Sequence, residues 1–329
     1  MNSAIKPHNK PARIESLYLL KAISSFFVVM IHSAFFLKED LTFILGVGTP
    51  CFLAITGYLL YSNDCAKELK KCIKWAIKLF RLSISCMVIY LLIYCPLIGM
   101  DWSWKTIILN ILTGSRICFV LWYLTAMWQA LLIFWVIRKH IPKLIIWLPL
   151  ILIITYILRV HPDYINLEFL GKFYISERNN ALITSLPFLS VGYLIHQHKE
   201  KLLRAINVNI WLPITIIALF IEFQIRVYFD LPRDLFSFLS FPCIFLLILT
   251  CVRHSQFKLP ILNAIGEKHS ANIYYFHMLI IAALHYANIT SPYEAAIVWI
   301  CCIPLSIIFN YSTAIFYHLM KKASFLQHS

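Results

Sequence analysis

A lysine and a histidine eleven residues apart sit in the first apolar run of the chain, which extends from Leu17 through Lys21 to His32. An ionisable residue inside a membrane span is costly and marks a functional site by default. At 3.6 residues per turn, Lys21 and His32 share one helical face to within roughly 20° and lie about 16 Å apart along the axis. One face of one helix then offers a cation toward one side of a bilayer and a base or nucleophile toward the other. The imidazole of His32 suits proton abstraction from a hydroxyl as a general base. Nucleophilic catalysis through an acyl-imidazole is the second chemistry open to it. The structural alternatives are a histidine hydrogen-bonded within a helix bundle, and a Lys21 that snorkels to the interface instead of holding an anion in a cavity.

Five further groups carry chemical potential. Lys71, Lys74, Lys78 and Arg81 are spaced 3, 4 and 3 residues apart, which puts them within about 80° on one helical face. Such a stripe either clamps a polyphosphate or grips anionic lipid headgroups. Thr56-Gly57 lies in a run holding three of the chain's 8 glycines, and small residues let helices approach closely. Glu177-Arg178-Asn179 offers a carboxylate and donors at the mouth of a helix, as an ordinary ion-paired loop or as a site for an acceptor substrate. His277, in Ile273-Tyr274-Tyr275-Phe276-His277, is a lone histidine in an apolar run, and such residues are more often structural than catalytic. Glu222 is an isolated carboxylate in another apolar run and should have a polar partner.

The elements that position these residues follow from composition. Of 329 residues, 60% are hydrophobic and 13% charged, against about 45–50% and 25% in soluble domains. The expected class is an all-α integral membrane protein forming one transmembrane domain over 1–329, with no soluble domain. A span needs about 20 mostly apolar residues. Ten runs qualify: 14–37, 42–62, 73–99, 117–137, 144–160, 180–198, 208–228, 235–253, 270–288 and 294–319, with a short interfacial helix at 104–113. Pro149, Pro187, Pro242 and Pro304 fall inside spans and predict kinks. With both termini in the cytoplasm, inside segments hold 20 Lys and Arg and outside segments 8, the bias that orients membrane proteins. The net charge of +14 is thereby explained by topology, and no nucleic-acid partner is implied. The ten cysteines lack a CxxC pair and read as small buried hydrophobes, with no metal site implied.

Taken together, these motifs resemble the acyltransferase 3 family of bacterial integral-membrane acyltransferases. The resemblance rests on Lys21 and His32 in helix one, on Pro50 through Thr56-Gly57-Tyr58 in helix two, and on Lys78 and Arg81 in helix three. It continues with Trp122-Tyr123-Leu124 in helix four and with Gly266, Ser270, Ile273, Tyr274 and His277 around helix nine. Chain length is most similar to the enterobacterial-common-antigen O-acetyltransferase subgroup. Lysine at positions 21 and 78 departs from the commoner arginine, keeping the charge and losing the bidentate fork. The resemblance implies a multi-pass protein of the bacterial inner membrane that moves an acyl group, usually acetyl, from cytoplasmic acyl-CoA to a hydroxyl of a surface glycan or its lipid-linked precursor. It implies His32 as the catalytic residue, with Lys21, Lys78 and Arg81 toward the donor; the residue reading above adds Lys74 on the donor side and Glu177, Arg178 and Asn179 toward the acceptor. Thr56, Gly57, Trp122, Tyr274 and His277 would support the site. A transporter or flippase of a glycan precursor or small anion, without acyl-transfer chemistry, is the competing reading.

Overall fold

The computed structural model describes residues 13–160, 180–229 and 238–326, and among these every regular element is a helix. The elements are α1 (Glu15–His32), α2 (Lys38–Leu45), α3 (Gly48–Leu60), α4 (Cys65–Ile89), α5 (Trp104–Thr113), α6 (Trp122–His140), α7 (Leu150–Val160), α8 (Leu186–Gln197), α9 (Lys199–Ala205), α10 (Val208–Tyr228), α11 (Ser240–Arg253), α12 (Pro260–Lys268), α13 (Ser270–Tyr286) and α14 (Glu294–Leu326). Each of the ten predicted runs contains a helix. Six helical stretches are long and apolar enough to cross a membrane: Glu15–His32, Lys38–Leu60, Cys65–Leu97, Phe119–His140, Val208–Tyr228 and Glu294–Ser312.

Local chemistry moves several predicted boundaries. Helix one stops at His32 rather than at 37, because the Ala34 amide leaves the helix to donate to Glu294 Oε2 at 2.8 Å. Helix three begins at Cys65 rather than 73. Asp64 caps it, accepting from the amides of Ala66 and Lys67 at 3.0 and 3.2 Å, and these amides hold the Asp64 carboxyl below its ordinary value. The run 144–160 is split by a 3-10 segment, Pro142–Trp147, and only α7 is α-helical. Of the four prolines expected to kink spans, Pro304 lies inside a helix, as does Pro213, while Pro242 sits in the first turn of α11 and Pro149 just before α7. Pro187 instead opens α8, following a π-helical turn at Ala181–Ser185; a second such turn, Tyr90–Tyr94, precedes Pro96. A wide turn accommodates the ring and the missing N–H of proline.

Glycines fix the closest contacts. A methyl group on Gly57 would lie 1.8 Å from the Leu189 carbonyl oxygen, and one on Gly192 would lie 1.7 Å from that of Ala54. α3 and α8 therefore cross backbone against backbone, as the sequence predicts for Thr56-Gly57. Gly266 does the same for α12 against α1, facing the Tyr18 carbonyl. Glu222 has the partners its position demands: Arg226 Nη2 at 2.8 Å and the amides of Phe238 and Leu239 at 3.0 and 3.1 Å.

Candidate functional site

α1 is continuous from Lys21 to His32, so the two residues keep the expected face and the separation of about 16 Å. His32 is its last residue. Two backbone bonds between the chain beyond it and the approach to α14 hold this end in place: Phe36 N to the Pro292 carbonyl (3.0 Å) and Ala295 N to the Ala34 carbonyl (3.0 Å).

The ring of His32 stacks on that of His277 from α13, with centroids 5.4 Å apart and planes 18° apart. Phe119 meets it edge-on at 4.7 Å. Neither ring nitrogen of His32 makes a hydrogen bond among the described residues. His277 is fully buried. Its Nδ1 lies 2.8 Å from the Tyr274 carbonyl and 3.3 Å from that of Ile273. Carbonyl oxygens only accept, so Nδ1 carries the proton and Nε2 presents a lone pair. That Nε2 has no hydrogen-bond partner among the described residues.

Beneath the histidines lies an aromatic layer. Tyr274 packs on Tyr123 at 4.8 Å and on Phe52 at 6.3 Å, and its hydroxyl donates to the Val120 carbonyl. Tyr123 hydrogen-bonds the Thr56 side chain and meets Trp122 edge-on at 6.2 Å. His32, His277, Tyr274, Thr56 and Trp122, scattered in sequence, thus converge through four helices.

Other predicted residues lie apart from that layer. Lys21 is half-buried, its Nζ 5.7 Å from the Tyr18 ring centre, and it makes no hydrogen bond or ion pair among the described residues. Lys74, Lys78 and Arg81 are exposed on α4, on the side opposite Cys72, Ala76 and Ser83, which are buried. Lys71 is engaged, donating to the Leu59 carbonyl. Glu177, Arg178 and Asn179 lie outside the described residues. No group of three His, Cys, Asp or Glu side chains suited to a metal occurs among the described residues.

A second polar cluster, absent from the sequence reading, sits far along α6 from Trp122. Glu68 is fully buried; its Oε1 accepts from Arg138 Nε at 2.7 Å, and its Oε2 from Ser62 N at 3.2 Å and the Tyr193 hydroxyl at 3.3 Å. The signal was weak: Glu68 stands among Lys67, Lys70 and Lys71 like one charge on a solvated face. Its contact with Arg138, together with Ser83 against Thr125 at 3.3 Å, shows α4 and α6 running antiparallel.

Comparison with protein families finds a match to an acyltransferase domain, that of the acyltransferase 3 family, over residues 14–315. Comparison with curated proteins and with solved structures finds no match.

Proposed function

The chain belongs to the acyltransferase 3 family, and from that premise we propose that it is a membrane O-acyltransferase that carries acetyl from cytoplasmic acyl-CoA to a hydroxyl of a surface glycan or its lipid-linked precursor. The enterobacterial-common-antigen subgroup, ten crossings, both termini in the cytoplasm and a bacterial inner membrane complete the proposal. The observation that carries it is the His32 imidazole, held by one stacked and one edge-on ring, with neither nitrogen hydrogen-bonded among the described residues.

His32 takes the proton of the acceptor hydroxyl as that oxygen attacks the thioester carbonyl. The tetrahedral intermediate then collapses, the carbon–sulfur bond breaks, and the imidazolium returns the proton to the leaving thiolate. Its position supports the charged intermediate, because a cation in the last turn of a helix is stabilised by the macrodipole, by about 0.3–1 kcal/mol. His277 cannot share that proton through a stacked geometry; it supplies the flat surface that orients the base. Lys21, one face and three turns away, holds an anionic part of the donor arm, while Lys74, Lys78 and Arg81 draw the polyanion to this side of the protein. Glu177, Arg178 and Asn179 serve the acceptor.

The test is label transfer. Purified protein in detergent, given radiolabelled acetyl-CoA and a lipid-linked glycan, should label the glycan only when both substrates are present. Failure to bind CoA at all, with the protein folded, would favour transport over transfer.

A further inference from the structure

The Glu68–Arg138 cluster opens onto a cavity of about 520 Å³, well within the size range of small-ligand sites. Its walls come from the C-terminal ends of α6 and α8 and from the 3-10 segment Pro142–Trp147. Arg138, Lys143, Trp147, Tyr193, Gln197 and His198 are among the lining residues, and none of the lining residues is acidic.

The guanidinium is presented in a particular way. Glu68 fixes Arg138 through Nε alone, and both other acceptor contacts of that carboxylate are satisfied. The guanidinium also hydrogen-bonds the Tyr193 hydroxyl, and the side chain is 22% exposed. A guanidinium carries five N–H donors, and those not taken by Glu68 and Tyr193 remain for a phosphate. Lys143 and His198 add donors that have no partner among the described residues. Trp147 is 61% exposed, which leaves a broad aromatic face open for stacking. Cations, an aromatic plate and a volume larger than one phosphate needs describe a nucleotide site. Arg138 lies sixteen residues from Trp122, about 24 Å along α6, which suits a ligand whose reactive end is carried on a long arm.

Resting on the acyl-CoA reading above, we propose that this cavity takes the nucleotide end of the donor, with its phosphates against Arg138, Lys143 and His198 and its base on Trp147. A headgroup phosphate from an anionic lipid shares part of this chemistry but has no purine to stack. Arg138→Ala would leave Glu68 buried without its partner and risks misfolding, so the informative variants are the exposed ones.

The experiment measures binding of adenosine 3′,5′-bisphosphate and of CoA to the full chain, with and without short-chain phosphatidylglycerol. In wild type the bisphosphate should bind, compete with CoA and resist the lipid. Lys143→Ala with His198→Ala, and separately Trp147→Ala, should each weaken both nucleotides about tenfold at unchanged melting temperature. Unchanged affinities in folded variants would overturn the pocket while leaving the donor reading standing. Displacement of the bisphosphate by the lipid, or loss of lipid binding alone in the variants, would assign the cavity to headgroups and overturn the proposal. Wild type that binds no CoA would remove the donor reading itself.

Discussion

Gly57→Ala tests whether helix contact at the α3–α8 crossing holds the site together. The new methyl carbon would sit 1.8 Å from the Leu189 carbonyl oxygen, with the Leu189 carbonyl carbon at 2.7 Å. All the atoms it meets are backbone, so no side chain can rotate away. Restoring even 3.0 Å parts the helices by about 1.2 Å, and a gap of that size forfeits up to half the dispersion between facing atoms. Overpacking costs about 1–3 kcal/mol, and a rigid backbone obstacle places this variant near the top, at about 3 kcal/mol. At about 2 °C per kcal/mol, the melting temperature in detergent should fall by roughly 6 °C. Gly192→Ala should match it, since its methyl meets Ala54 at 1.7 Å. The double variant should cost less than the two singles combined, because one separation relieves both clashes. Gly48→Ala, whose nearest atom is Ser24 O at 3.0 Å, should cost far less. A Gly57→Ala protein that melts with wild type, or below which Gly48→Ala falls, would refute the reasoning.

The remaining predictions concern chemistry and charge. His277→Ala removes the surface behind His32 and should lower turnover by about a hundredfold, the scale of a misplaced base. His277→Phe keeps a ring and displaces no partner from Nε2, so it should recover most of that rate in the label-transfer assay. Lys78→Ala with Arg81→Ala should slow CoA association and flatten its salt dependence; unchanged kinetics with weaker liposome binding would return the stripe to headgroups. Burial, with Lys268 adjacent, holds His269 below its ordinary value of 6.5, and the Ser306 hydroxyl lies 2.8 Å from its Nδ1. The folded state resists protonation here, so the contribution of this group to stability is complete above pH 6.5 and is lost as pH falls through the lowered folded value. Wild type should therefore lose melting temperature between pH 7 and 5 more steeply than His269→Gln.

Much of the fold was legible because apolar runs near 20 residues report helices directly. The Lys21–His32 face survives intact because helical spacing is a property of one segment. Gly57 was legible as a close contact, yet its partner Gly192 was not, since nothing local says which helix will face it. Boundaries moved where a distant or capping side chain intervened: Glu294 stops α1 and Asp64 starts α4. The stacking of His277 on His32 joins residues 245 positions apart in the sequence, and no periodicity encodes that. Glu68 and Arg138 went unread for the same reason, each resembling an ordinary surface charge until the other is placed beside it.

The central claim is that His32 performs acyl transfer. The direct measurement is the rate of acetyl transfer from labelled acetyl-CoA to glycan by His32→Ala, alongside wild type, in preparations matched for melting temperature and CoA affinity. Loss of a general base of this kind predicts a rate about 10²–10⁴-fold lower with CoA still bound. Transfer at the wild-type rate would contradict the account.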